Sequence, residues 1–110
     1  MSRLLVSNGL ILDPVTQTVK TSSVYIADGS IIAIDHKPDG FDAEHSIDAT
    51  GLIISPGLVD LCARLREPGL EFKADIHSEA VAAASAGITT LCCPPDTDPV
   101  IDEPAVVELI

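Results

Sequence analysis

The pattern of apolar residues changes at Pro56, and this change limits what the chain can fold into. Residues 1–55 contain short apolar segments separated by turn residues at Asn8-Gly9, Asp13-Pro14 and Asp28-Gly29. The last of these is the strongest hairpin signal, because Asp-Gly suits a φ > 0 turn between two twisted strands. Several short strands at close spacing predict part of a small β-sandwich.

The second half of the chain predicts alternating strands and helices. The predicted elements are a strand over 58–65, a helix over 75–86 with Asp75 as N-cap and Gly87 as C′ residue, a strand over 88–93 and a helix from Pro104. This order opens a (β/α)8 TIM-type barrel, which needs on the order of 250 residues. We therefore expect an α/β chain that forms the N-terminal portion of a longer fold. Residues 1–55 are expected to form a β-sandwich segment, and residues 56–110 the start of the barrel.

Composition excludes several classes of protein. The formal net charge is −11 and only six residues are basic, which disfavours binding to nucleic acid. Three cysteines, two of them adjacent, make neither a disulfide framework nor a Cys-x-x-Cys motif. The apolar runs fall far short of the roughly 20 residues that span a bilayer, and the segment after Met1 has neither a basic n-region nor a long apolar h-region. We expect a reduced, cytoplasmic protein that binds neither nucleic acid nor membrane.

Polar residues interrupt the predicted strand over 58–65. Asp60, Cys62 and Arg64 stand at i, i+2 and i+4, so they are expected on one face of the strand. Two histidines at i and i+2 would form a chelating pair for a divalent metal. Cys62 could still bind a metal, whereas Arg64 carries a permanent positive charge and has no lone pair to donate. Cys62 and Arg64 therefore do not form a chelating pair of this kind.

Several stretches resemble one family. They are Asp48–Asp60, Leu65–Gly69, Ala83–Thr90, Leu91–Pro95 and Pro95–Pro99. Together they resemble the start of a dihydroorotase of the amidohydrolase superfamily, and the resemblance covers the whole chain. Active members carry His-x-His where this chain has Cys62-Ala63-Arg64, and Asn where it has Asp96. The chain is most similar to the non-catalytic dihydroorotase-like chain that accompanies aspartate carbamoyltransferase in some bacteria.

The resemblance implies roles for five residues. Cys62 and Arg64 stand at vestigial metal positions, Arg66 and Asp96 at vestigial substrate positions, and Asp60 in the same pocket. In active relatives the residues at 66 and 96 hold the carboxylate of the substrate. The planar fork of Arg66 suits a carboxylate, whereas Asp96 would repel one. We therefore expect an ion pair of Asp96 with Arg66 or Arg64.

The function that the resemblance implies is that of a pseudo-dihydroorotase without catalytic residues, bound metal or cofactor, zinc being the metal of active relatives. Its role would be to support the assembly and activity of aspartate carbamoyltransferase in pyrimidine biosynthesis. The catalytic chain of that enzyme is then the expected partner in a hetero-oligomer. Two alternatives stay open: a zinc-dependent cyclic amidohydrolase (dihydroorotase) with altered ligands, and a small-anion binding module anchored by Arg66.

The other cysteine and histidine residues are expected to have no chemical role. Cysteines on such strands are most often small buried apolar residues, which is the expectation for Cys62, Cys92 and Cys93. The histidines lack ligand spacing: His77 falls in the first turn of the predicted helix, and His36 and His45 fall in acidic loops.

Overall fold

The computed structural model describes residues 2–108 and residue 110, which form two compact units, Met1–Pro56 and Gly57–Ile110. The elements are β1 (Arg3–Asp13), β2 (Thr18–Ala27), β3 (Ser30–Ile34), β4 (His45–Asp48), β5 (Ile53–Ile54), β6 (Leu58–Asp60), α1 (Ile76–Ser85), β7 (Ile88–Leu91) and α2 (Pro104–Val107). The predicted mixed α/β architecture is confirmed. No helix in the described part of the chain has the length and apolar character to cross a membrane.

The first unit is a mixed five-stranded sheet built around β1. The strand order is β3-β2-β1-β4, and β5 pairs with β1 beyond β4. β1 pairs antiparallel with β2 on one side and parallel with β4 and β5 on the other. The parallel registers bring Leu4 beside His45 and Ile11 beside Ile54. β1, the longest strand of the unit, is therefore hydrogen-bonded to three other strands.

The hairpin predicted at Asp28-Gly29 is confirmed. β2 and β3 pair antiparallel, with Ala27 opposite Ser30. Asp28 has φ 50° and Gly29 has φ 78°, the two positive angles that a two-residue type I′ turn requires. The Asp28 carboxylate also accepts a hydrogen bond of 2.9 Å from the backbone N–H of Ser2. The turn is thus stabilised by its backbone conformation and by the hydrogen bond to the Asp28 side chain.

The turn predicted at Asn8-Gly9 is wrong, because β1 continues through both residues. The register with β2 shifts between Val6 and Gly9, and Asn8 adopts φ 62°, so the pair forms a β-bulge. The amide of Asn8 donates to Asp48 Oδ1 at 3.1 Å. Gly9 is buried, and a Cβ at this position would lie 2.6 Å from Cγ1 of Ile54. Partners on both edges therefore keep the strand extended through a turn-like dipeptide.

An aromatic pair anchors the loop between β3 and β4. The rings of Tyr25 and Phe41 meet edge to face at 5.3 Å and 87°, and both side chains are buried. The guanidinium of Arg3 lies 5.9 Å from the centre of the Phe41 ring and donates to the carbonyl of Gly40 at 3.0 Å. Phe41 therefore holds this loop onto the sheet.

The second unit begins with a β–α–β arrangement. β6 and β7 pair in parallel, and α1 between them packs on β7. α1 begins at Ile76 because Asp75 and Ser78 form a capping box: Asp75 Oδ1 accepts from the Ser78 N–H at 2.7 Å, and Ser78 Oγ accepts from the Asp75 N–H at 3.2 Å. Gly87, at φ 84°, ends the helix. The predicted helix, its two caps and the helix from Pro104 are confirmed.

Replacing Asp75 with alanine should lower the melting temperature of the whole protein at pH 7, and the difference from wild type should shrink in acid. The backbone hydrogen bond from Ser78, and then its side-chain bond, lower the pKa of Asp75 below its ordinary value of 3.8. The carboxylate therefore stabilises the fold above the unfolded-state pKa, and this contribution is lost as pH falls through the lower folded-state pKa. Thermal melts between pH 7 and pH 3 measure it.

The matched control for this measurement is Asp39→Ala, which removes an exposed loop carboxylate with no hydrogen bond among the described residues. Its melting temperature should stay near that of wild type across the same pH range. An Asp75→Ala difference that is as large at pH 3 as at pH 7 would contradict the charge-dependent role of this cap.

Candidate functional site

The candidate residues follow the ends of β6 and β7. The predicted strand over 58–65 is wrong in its extent, because β6 ends at Asp60. The Asp60 carboxylate accepts a hydrogen bond of 2.9 Å from the Cys62 N–H, which turns the chain away from the strand direction. The backbone still follows β7, since Cys92 donates to the Asp60 carbonyl at 2.8 Å and accepts from the Ala63 N–H at 3.0 Å. Asp60, Cys62 and Arg64 are therefore not successive residues of one strand face.

Arg64 and Asp96 form the ion pair that the sequence predicted as one of two possibilities. Arg64 Nε donates to Asp96 Oδ2 at 2.8 Å, and the two side chains are 52% and 50% exposed. The hydrogen bond to Asp96, then the negative charge of Asp96, then the nearby Cys62, raise the pKa of the Arg64 guanidinium above its ordinary value. This contact joins the loop after β6 to the loop after β7.

Arg66 has an unusual backbone conformation. Its φ is 72°, in the left-handed region that non-glycine residues adopt at a cost of order 1–3 kcal/mol. The Arg66 carbonyl accepts from the Leu70 N–H at 2.8 Å, which closes the turn that follows. Among the described residues, the Arg66 side chain makes no ion pair or hydrogen bond. The predicted alternative, an Arg66–Asp96 pair, is therefore not formed.

Glu67 contributes to the site and was not singled out from the sequence. Its Oε2 accepts a hydrogen bond of 2.9 Å from the N–H of Ile76, the first residue of α1. A carboxylate at a helix N-terminus is favoured by the unpaired N–H groups and the helix dipole. The turn that carries Arg66 is thereby joined to α1. An acidic residue nine positions before a helix is too weak a signal to predict such a contact.

The same turn is tied to the loop after β7. The Asp98 N–H donates to the Pro68 carbonyl at 3.2 Å. Gly69 has φ 102°, and a Cβ there would lie 2.7 Å from Cβ of Asp98. Only glycine meets both conditions at this position. The loops after β6 and β7 are therefore held together at Gly69 as well as at the Arg64–Asp96 pair.

Two hollows meet at the arginines. The smaller has a volume of about 30 Å³ and is lined by Arg64, Arg66, Glu67, Pro68, Asp96 and Ile101, among others. The larger, of about 460 Å³, opens toward α1 and is lined by Asp60, Cys62, Arg64, Arg66, Glu79 and Leu91, among others. All five residues assigned from the sequence thus line one or both hollows.

The donor atoms at the candidate metal positions do not fit a zinc pair. Cys62 offers one thiol, but Arg64 has no lone pair and is bonded to Asp96. The Asp60 carboxylate is engaged by the Cys62 N–H. Within residues 2–108 and 110, no group of three or more His, Cys, Asp or Glu side chains is placed to hold a metal ion.

The predicted burial of the cysteines is wrong. Cys62, Cys92 and Cys93 are all exposed free thiols. The physical reason is that β6 and β7 end before these residues, so they lie in loops that no described element covers. Among the histidines, His77 lies in the first turn of α1 as predicted, whereas His45 begins β4 and is not in a loop.

Comparison with known proteins agrees with this architecture. The model of the dihydro-orotase-like family matches residues 51–110. A dihydroorotase-like protein of Pseudomonas aeruginosa is 48% identical over 100 residues, which are 91% of this chain and 24% of that protein. A dihydroorotase of Ruminiclostridium cellulolyticum is 42% identical over 108 residues, which are 98% of this chain and 25% of that protein. The chain spans about a quarter of the length of these curated relatives.

Solved structures share the fold of this chain. The L-hydantoinase (dihydropyrimidinase) from Arthrobacter aurescens matches with a TM-score of 0.73 and 27% identity, over 91% of this chain and 22% of the hydantoinase. A D-hydantoinase matches with a TM-score of 0.69 and 31% identity, over 83% of this chain and 20% of that chain. The sheet followed by strand–helix units, the family match and these likenesses agree, and the chain belongs to the dihydroorotase-like family of the amidohydrolase superfamily.

Proposed function

We propose that the whole protein is a non-catalytic member of this family that supports the assembly and activity of aspartate carbamoyltransferase in pyrimidine biosynthesis. The observation that carries the proposal is the Arg64–Asp96 ion pair of 2.8 Å. It places a guanidinium at a position where active relatives, by the resemblance, carry a metal-binding histidine. A guanidinium cannot donate electrons to a metal, and this one is already bonded to a carboxylate.

The chemistry of amide hydrolysis supports a loss of activity. Bulk water is a poor nucleophile at neutral pH, and a bound metal ion makes it reactive by lowering its pKa to about 7. Cys62 alone retains a donor atom at the two positions of the pair. Asp96 in turn presents a carboxylate where a substrate carboxylate would be held, and like charges repel. Two separate steps of the reaction, activation of water and binding of substrate, are thus both disfavoured.

A fold that keeps its framework after losing its chemistry is retained for another purpose, and a surface for a partner is the simplest one. The catalytic chain of aspartate carbamoyltransferase is proposed as that partner because the sequence resembles the chain that accompanies it in some bacteria. The proposal includes a hetero-oligomer in the cytoplasm, where no zinc or other cofactor is required of this chain.

Co-elution tests this proposal. The whole protein and aspartate carbamoyltransferase from the same organism would be run together by size exclusion with light-scattering mass, and the transferase activity of each peak would be assayed. We expect a stoichiometric complex that is active where the separate transferase is not. As a control, the dihydroorotase of Ruminiclostridium cellulolyticum should not replace the protein in the complex. Separate elution with unchanged transferase activity would refute the scaffold role.

A further inference from the structure

Three thiols lie just beyond the ends of β6 and β7. Cys62, Cys92 and Cys93 are all free and exposed. The resemblance gives Cys62 a vestigial metal position, and the proposed function uses neither Cys92 nor Cys93. Exposed thiols are open to oxidation. What two of them can form depends on the distance between their backbones.

Backbone hydrogen bonds place Cys92 beside Cys62. The Cys92 N–H donates to the Asp60 carbonyl at 2.8 Å, and the Cys92 carbonyl accepts from the Ala63 N–H at 3.0 Å. In a regular parallel ladder, the two partners of a residue stand two positions apart, on either side of the residue opposite. Here they stand three positions apart, so Leu61 and Cys62 both lie opposite Cys92, as in a bulge. Cys62 and Cys92 are thus neighbours on adjoining segments.

This spacing suits a disulfide between Cys62 and Cys92. Adjoining strands lie about 4.8 Å apart, and the Cα atoms of disulfide-bonded cysteines lie about 4.4–6.8 Å apart. Cys92 and Cys93 do not suit one with each other, because consecutive Cα atoms are only about 3.8 Å apart. In the described part of the chain, Cys93 makes no backbone hydrogen bond to residues 60–63. Cys62 and Cys92 are therefore the matched pair.

The backbone between the two cysteines is fixed, whereas their side chains can turn. Asp60 Oδ1 accepts from the Cys62 N–H at 2.9 Å, which adds to the two bonds of Cys92. β6 ends at Asp60 and β7 ends at Leu91, so neither cysteine belongs to a strand face. Exposed side chains exchange rotamers within nanoseconds or less. The two sulfur atoms can therefore meet without a change in the backbone pairing.

We propose that Cys62 and Cys92 form a reversible modification site, a thiol pair that hydrogen peroxide oxidises to a disulfide. The bond would fix the turn after β6 to the end of β7. Disulfides of cytoplasmic proteins are usually transient and serve redox sensing, and a site that thiol reductants reopen is of this kind. The inference goes beyond the scaffold role and does not depend on it.

The oxidation proceeds in two balanced steps. One thiolate attacks an oxygen of hydrogen peroxide, the O–O bond breaks, and the departing hydroxide takes up a proton to become water, leaving a sulfenic acid. The second thiolate attacks that sulfur, the S–O bond breaks, and the hydroxide leaves as a second water while the S–S bond forms. Two thiols thus lose two electrons and two protons, and the peroxide is reduced to two water molecules.

Peptide mapping of the whole protein tests the proposal. Reduced protein would be treated with a small excess of hydrogen peroxide, blocked with iodoacetamide and digested with trypsin without reductant. Cleavage after Arg64 and after Lys73 separates the peptide with Cys62 from the peptide with Cys92, so mass spectrometry identifies their cross-link. Cys93→Ser is the matched control for Cys92→Ser, since it makes the same change one residue further on. Circular dichroism establishes that each variant is folded.

We expect the cross-linked peptide in wild type and, at a similar yield, in Cys93→Ser, and dithiothreitol should release it. In Cys92→Ser and in Cys62→Ser it should fall to background. A non-reducing gel should show the oxidised protein as a single chain. An equal yield in Cys92→Ser, no cross-link in wild type, or Cys62 joined to another chain would overturn the proposal. None of these results bears on co-elution with the transferase.

Discussion

At neutral pH, the whole protein should hydrolyse dihydroorotate at a rate on the order of 10⁶-fold or more below that of an active dihydroorotase. The physical reason lies at residues 62 and 64, where the chain has one thiol and one guanidinium at the positions that, in the proposal above, active relatives fill with a chelating pair. If no such pair holds a metal ion, we expect no metal-activated water, and bulk water is a poor nucleophile at neutral pH. Purified protein would be assayed spectrophotometrically with dihydroorotate in the presence of added zinc, and its zinc content measured in parallel.

The dihydroorotase of Ruminiclostridium cellulolyticum, purified in the same way, is the positive control for that assay. Turnover of about 1 s⁻¹ or faster by the present protein, together with stoichiometric zinc, would establish the alternative of an amidohydrolase with altered ligands. Turnover that a Cys62→Ala variant abolished would assign the thiol as one of those ligands. Turnover at that rate would contradict the proposed non-catalytic role.

Replacing Phe41 with alanine is expected to destabilise the first unit by about 3–5 kcal/mol. The Phe41 side chain is 4% exposed, meets Tyr25 edge to face at 5.3 Å, and supports the guanidinium of Arg3. Truncation removes all of these contacts and leaves a cavity under the loop. Hydrogen exchange of the β2–β3 peptides in the whole protein measures the effect, and exchange through unfolding of the unit should become faster by on the order of 10²–10³-fold.

Phe72→Ala is the matched control, because it makes the same change at a ring that is 80% exposed. Surface substitutions of this kind usually alter stability by less than about 0.5 kcal/mol, so exchange in β2 and β3 should stay at the wild-type rate. If Phe41→Ala exchanged no faster than Phe72→Ala, the loop between β3 and β4 would not be anchored as the structure shows.

Local chemistry explains which elements could be predicted. The Asp28-Gly29 hairpin and the caps of α1 depend on residues within a few positions of each other, and both were found as predicted. The parallel pairing of β1 with β4 depends on partners about 40 residues apart, which no local pattern records. The same limit applies to the bulge at Asn8-Gly9, since the dipeptide alone does not show that β1 continues through it and pairs with β2 on both sides of the bulge.

The site was predicted in part for similar reasons. Arg64–Asp96 was one of two proposed pairs, and side-chain charge alone could not choose between Arg64 and Arg66. The choice is made by the Asp60 carboxylate, which ends β6 early, and by the left-handed backbone of Arg66. The early strand ends also leave the cysteines exposed, contrary to expectation. Whether the five assigned residues have the vestigial roles that the resemblance implies stays a prediction.

During synthesis, one edge of β1 stays unpaired until its parallel partner β5 has been made. Ile11 leaves the ribosome 43 residues before its parallel partner, Ile54. At about 5–20 residues per second, one edge of β1 has no partner for roughly 2–9 s after it is made, even when the β2 edge has already paired. An unpaired edge with apolar side chains is a template for wrong association. Slower translation between Asp13 and Ile53 would lengthen this exposure, so the yield of soluble protein should depend on codon choice in that interval.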